Sequence, residues 1–142
     1  EKAFRHFGHD ISCEDHVLEA GLGFAVKTDK PDFIGRQAVL AKRETGLQKR
    51  LVQFLLEDPE PLLFHNEPVL RNGEYVGYLS SGNYGHTLGG AVGLGYVPCP
   101  GEDAASVLAS SYEIEIAGKR FKARASLRPM YDPNSERVRS DA

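Results

Sequence analysis

Apolar residues recur with two different periods in the two parts of this chain. Ala38, Val39 and Leu40 form a stripe, while Arg36, Lys42, Arg43 and Glu44 are charged, which predicts a helix near Gly35 to Thr45. Gly46 follows as the residue at which a left-handed C-cap costs least, and Lys42 and Arg43 fall where they complement the helix dipole. From Gln48 to about Tyr131 the period shortens to two. Tyr112, Ile114 and Ile116 alternate with polar residues before Ala117-Gly118-Lys119, and Phe121, Ala123 and Ala125 do so after it. That pattern is a hairpin with one buried face. Asn72-Gly73, between Val69-Leu70 and Tyr75-Val76, predicts another hairpin, because both turn positions require positive φ. Arg50 to Leu56 predicts a strand, and Pro59, Pro61 and Pro68 predict a loop outside any interior ladder.

The run from Glu74 to Val97 is expected to form a strand ending in a Ser80-Ser81-Gly82 turn. A glycine-laced crossing then leads to a second strand that ends at Pro98. Short strands joined by tight turns imply a small antiparallel barrel. The tail Asp132 to Arg137 has turn chemistry and no apolar face, so it is expected to wrap the surface or fray. The change of texture divides the chain into residues 1–46, loops plus one helix, and residues 47–142, the strand-rich part with its tail.

Composition narrows the function classes. At 142 residues the chain suits one domain, or a small domain with a piece of its neighbour. A formal charge of -3 with scattered basic residues is not the footprint of nucleic-acid binding. No apolar stretch is long enough to cross a bilayer as a helix. Cys13 and Cys99 are far apart and outside any Cys-x-x-Cys pairing, so a reducing compartment is expected, with both thiols structural. The chain opens without Met and is read as a piece of a longer polypeptide.

The residues that often carry chemistry fall short here. His6, His9 and His16 lie close together, but His6-x-x-His9 on a strand would put the two rings on opposite faces, and no zinc spacing is completed. Gly89-Gly90-x-x-Gly93-x-Gly95 precedes no predicted helix and no Lys-Ser/Thr pair, so neither a dinucleotide fingerprint nor a P-loop fits. Ser80, Ser81 and His86 make no defensible triad. No catalytic residue and no metal site are expected within the chain.

Four blocks nevertheless resemble the C-terminal portion of the glycine cleavage T-protein (aminomethyltransferase) family. They are Glu1 to Ile11 with Leu18 to Lys27, Asp32-Phe33-Ile34-Gly35-Arg36-Gln37-Ala38, the run Gly77 to Val97, and Ser126 to Pro133. The first and last blocks look most like the folate-linked half of sarcosine and dimethylglycine dehydrogenases. The resemblance implies an α+β fold: residues 1–46 end a mixed α/β folate-binding domain, and residues 47–142 form a small Greek-key antiparallel β-barrel with an extended tail. It also implies a parent protein that passes a one-carbon unit from an amine to tetrahydrofolate, with FAD in a domain upstream and the isolated chain inert. Glu1 matches a glutamate that hydrogen-bonds the pterin edge, where a carboxylate accepts from two adjacent donors; in the isolated chain it would be solvated. Lys30 stands where an arginine meets the folate. It keeps the charge without the planar fork, leaving open a contact to the polyglutamate tail or a solvated loop lysine. Phe7 replaces a frequent tyrosine and keeps only the aromatic wall. Expected partners are upstream domains of the same polypeptide, folate and a small amine, in the cytoplasm or, in a eukaryote, the mitochondrial matrix. The competing reading is a non-catalytic barrel for docking, with Tyr75 and Tyr78 as an exposed patch.

Overall fold

The computed structural model describes residues 1–140. Six antiparallel strands close into a barrel in the order β1-β4-β3-β2-β5-β6. They are β1 (Lys49–Leu56), β2 (Pro68–Arg71), β3 (Glu74–Gly85), β4 (Gly90–Pro98), β5 (Tyr112–Ile116) and β6 (Lys119–Ser126). Strands β2, β3 and β4 follow one another as hairpins while β1 lies beside β4, which is a Greek key. Pairing of β6 with β1 closes the sheet and leaves no edge.

Local chemistry accounts for the turns. Asn72 and Gly73 have φ of 52° and 88°, and Ala117 and Gly118 have 49° and 78°, so both hairpins close through two residues with positive φ. The helix α1 spans Arg36–Thr45 as its apolar stripe predicts. Gly46 does adopt positive φ, but at φ 81° and ψ 168° it lies in the glycine-only region outside the left-handed helical well; its amide still closes onto the Lys42 carbonyl. A short helix, α2 (Ala104–Ala109), lies between β4 and β5 and is absent from the sequence reading, although its start is marked: the Asp103 side chain caps the Ser106 amide at 2.7 Å. Val107 of α2 is fully buried in the barrel core.

Three expectations are corrected. The strand does not end at Ser80-Ser81-Gly82. It runs on to Gly85, with a bulge between Leu79 and Ser81 and the chain reversal at residues 86–89. Pro68 opens β2 opposite Tyr78, the first position of a strand being one that tolerates a missing amide donor. His6 and His9 lie on a turn rather than a strand. The amides of His9 and Asp10 both close onto the His6 carbonyl, which stacks the two rings with centroids 4.6 Å apart.

The interior of the barrel holds Val52, Phe54, Leu56, Val69, Leu79, Val97 and Ile114, with Leu63 inserted from the β1–β2 connection. Strand β1 is apolar from Leu51 to Leu56 except at Gln53, because both its faces are covered there. Leu51, on the outer face, packs with Ala3, Leu94 and Tyr96 beneath the N-terminal segment. The tail returns to that same segment: Lys2 pairs with Asp132 at 2.6 Å and the Tyr131 amide meets the Glu1 carbonyl at 3.4 Å. A last short helix, α3 (Glu136–Arg139), follows.

Ion pairs fasten the layers. Lys49 meets Asp15 at 2.6 Å, Lys42 meets Glu19 at 2.7 Å, and Arg71 holds Glu102 through both guanidinium nitrogens while also reaching Ser110 and the Pro98 carbonyl. Partial burial pushes Asp15 and Glu19 upward, but Lys49 and Lys42 together with backbone amides outweigh it and hold both below the usual carboxylate range. Arg71 takes Glu102 down to about 2, and Lys2 holds Asp132 low. Each depressed carboxylate binds fewer protons in the folded state than in the unfolded one. The stability these pairs contribute is therefore complete above about pH 4.5 and lost as pH falls towards about 2. The unfolding temperature is expected to fall steadily through that window, as followed by circular dichroism; an unchanged midpoint down to about pH 3 would contradict the assignment.

Candidate functional site

A cleft of about 340 Å³ lies between the N-terminal segment and the outer face of the barrel, bounded by Glu1, Phe4, Gln53, Ser81, Asn83 and Leu94 among others. Each wall has a different origin. Glu1 to Phe4 carry no regular structure and are laid across β1, β3 and β4; Ala3 takes a positive φ of 52° to do so. Gln53 is the one polar residue in the apolar run Leu51 to Leu56 and is only 4% exposed. Its amide nitrogen donates to the Glu1 carbonyl at 3.1 Å, and its oxygen accepts the Met130 amide at 2.8 Å. One buried side chain thereby joins the segment, the barrel and the tail.

Glu1 is not loosely solvated. Its Oε1 accepts the amides of Thr87 and Leu88, at 2.7 and 2.9 Å, from the β3–β4 turn. Desolvation pushes this carboxyl up, but the Leu88 and Thr87 amides outweigh it and hold it below the usual range. The Thr87 side chain adds to the hold of the two amides on this carboxylate.

Behind Ser81 lies Asp10, 2% exposed. Its Oδ1 accepts both the Ser80 and Ser81 hydroxyls, at 2.5 and 2.7 Å, while Oδ2 accepts the His6 amide at 2.8 Å. Two consecutive strand residues normally point to opposite faces; the bulge between Leu79 and Ser81 turns both hydroxyls onto one carboxylate. The sequence reading passed over Asp10 and Gln53. Gln53 carries a signal, an amide at the centre of an apolar strand, whereas Asp10 carries none.

Lys30 lies elsewhere. It is exposed, beside Lys27 and Phe33 on a shallow groove with Ala25 and Val26 that shares no residue with the Glu1 cleft. Phe7 is 70% exposed on the His6 to Asp10 turn. His86 packs edge-on against Tyr84 in the turn that holds Glu1. Among the described residues, no three His, Cys, Asp or Glu side chains gather as a metal site would require, and no helix is long and apolar enough to cross a membrane. Cys13 is exposed and Cys99 buried, both free. Tyr75 and Tyr78 are exposed, but the Tyr75 hydroxyl is tied to Glu115 at 2.6 Å.

A closed six-stranded Greek-key barrel with an N-terminal segment pinned across its outer face defines the class of module. Residues 49–132 match the glycine cleavage T-protein C-terminal barrel domain, and the chain belongs to that family. Over 98% of its length it is 44% identical to 4-methylaminobutanoate oxidase (formaldehyde-forming) of Paenarthrobacter nicotinovorans and 36% identical to mitochondrial sarcosine dehydrogenase of Homo sapiens. Over 99% it is 38% identical to the mitochondrial pyruvate dehydrogenase phosphatase regulatory subunit of Mus musculus, of which it covers 18%. The chain spans about a sixth of the length of the first two, 16% in each case. The crystal structure of the glycine cleavage system aminomethyltransferase T from Bartonella henselae shares the fold, with a TM-score of 0.71 at 23% identity over 86% of this chain and 34% of that one.

Proposed function

We propose that this chain is the tetrahydrofolate-side C-terminal part of a flavin-linked dehydrogenase or oxidase of the sarcosine and dimethylglycine type. Residues 1–46 end the folate-binding domain and residues 47–142 form its barrel. The observation that carries the reading is the ionised Glu1 carboxylate, held by two backbone amides at the rim of a cleft. Two of the relatives, 4-methylaminobutanoate oxidase and sarcosine dehydrogenase, are named for N-methylated amine substrates. Exposed Phe4, Phe24 and Ile34 on the N-terminal segment fit a surface continued by a neighbouring domain.

Bound tetrahydrofolate would supply the amine nitrogens that capture the one-carbon unit. This chain's residues bind and orient. Glu1 accepts from the pterin edge, Phe4 shields one side of the cleft, and Lys30, on its separate groove, supplies a point charge for the polyglutamate tail. Flavin chemistry belongs to a domain upstream. The free thiols suit a reducing compartment, cytoplasm or mitochondrial matrix.

The test is calorimetric titration of the full-length protein with tetrahydrofolate. Replacing Glu1 by Gln removes a charge-assisted contact worth about 1.5–3 kcal/mol, so affinity is expected to fall roughly ten- to a hundredfold. Lys30→Ala is expected to weaken only polyglutamylated folate, by less than about fivefold, as befits an exposed charge. Unchanged affinity in the Glu1 variant would overturn the reading. Docking without ligand is favoured by one observation, the similarity to a regulatory subunit. It predicts no folate-dependent rise in unfolding temperature, whereas a binder must stabilise by mass action.

A further inference from the structure

Three separated parts of the chain converge on Glu1. The β3–β4 turn supplies two successive amides to Oε1, β1 supplies Gln53 to the backbone carbonyl, and the tail supplies the Tyr131 amide to that same carbonyl. The strand end is shaped to admit the carboxylate. A Cβ on Gly85 would stand 3.1 Å from Glu1 Oε1, 3.1 Å from the Gly90 carbonyl and 3.2 Å from Val92 Cγ2, so a side chain there crowds the place the carboxylate takes and a branched one most of all. The other charged side chain lining the cleft, Lys2, is engaged by Asp132 and does not compete for Glu1.

We infer that the barrel serves as a positioning frame for the Glu1 carboxylate, with Gly85, the Thr87 and Leu88 amides and Gln53 as its positioning elements. The inference rests on the reading of Glu1 as the folate-binding residue. An unsupported glutamate in a segment without regular structure would lose side-chain freedom on gripping a ligand. Here the rotamer is set beforehand by groups far away in sequence, and pre-organisation of this kind raises affinity without adding a contact. The frame also gives the β3–β4 turn a purpose that its glycines alone do not disclose: successive amides form a concave anion seat, occupied by the protein's own carboxylate.

A double-mutant cycle on the full-length protein separates positioning from structural support. Tetrahydrofolate affinity is measured calorimetrically for Glu1→Ala, Gly85→Val, Gln53→Met and each pairing with Glu1→Ala. Gly85→Val and Gln53→Met are expected to weaken binding about tenfold alone, and less than about twofold once Glu1 is gone. Losses that persist at full size in the Glu1→Ala background would overturn the frame while leaving the folate reading intact. A Glu1→Ala variant that binds as well as the wild type would overturn both. Unfolding midpoints monitor the fold, and if Gly85→Val does not fold, the Gln53→Met cycle decides.

Discussion

Replacing Gly82 by Ala is expected to lower the unfolding temperature by roughly 10 °C, corresponding to about 3 kcal/mol for a chain of this size. The added Cβ would stand 2.7 Å from Leu63 Cβ, 2.9 Å from the Leu63 carbonyl carbon and 3.0 Å from the Phe64 amide nitrogen. Those atoms are backbone or fixed directly to it, so no rotamer change relieves the contact. Leu63 is 2% exposed and plugs the barrel interior, which means that displacing it also empties a core position. Thermal unfolding by circular dichroism measures the effect. A midpoint within about 2 °C of the wild type would show that the 61–67 connection yields, and that the tight crossing is not a constraint.

Substituting Asp10 by Ala is the second large effect, an expected loss of about 2–3 kcal/mol. The carboxylate accepts three hydrogen bonds in a place closed to water, and its removal strands the His6 amide and the Ser81 hydroxyl. Ser80 suffers less because its hydroxyl also reaches the Leu94 carbonyl at 3.1 Å. The conservative change to Asn keeps most of the site. Its oxygen can take the His6 amide while its NH2 donates to the Ser80 and Ser81 oxygens, which accept once their hydroxyls rotate, so a loss well below that of Ala is expected. Ser81→Ala should cost about 1 kcal/mol. Urea unfolding of the variants checks that Asp10→Ala is worse than both Asp10→Asn and Ser81→Ala; an Asp10→Ala variant as stable as the wild type would refute the role of the carboxylate as a buried triple acceptor.

The two predictions concern residues whose importance is unequally visible in the chain. Gly82 sits in a glycine-rich run that signals close approach of backbones, although the sequence reading placed a turn there. Ser-Ser-Gly carries turn chemistry, and the bulge that absorbs it depends on Asp10 arriving from another part of the molecule to satisfy both hydroxyls. The helix α2 had a legible N-cap in Asp103, but its single turn and a half offers too few periods to stand out. The stacked His6 and His9 rings went unread because the strand assumption imposed a period of two on what is a turn.

The helix α1, both two-residue hairpins and the antiparallel barrel follow from chemistry within a few residues: spacing of apolar side chains, positive φ at Asn72-Gly73 and Ala117-Gly118, and alternation along β5 and β6. The family follows from motifs in order, which tertiary contacts do not need to reveal. The site does not follow in the same way. Gln53 meets partners 52 and 77 residues away, Asp10 meets hydroxyls 70 and 71 away, and Glu1 meets amides 86 and 87 away. Hydrogen bonds across such separations are set by how the barrel closes and where the N-terminal segment crosses it. No local preference encodes them, and that is why Glu1 was visible only through the family resemblance, while its fixed carboxylate and the frame around it emerged from the folded chain.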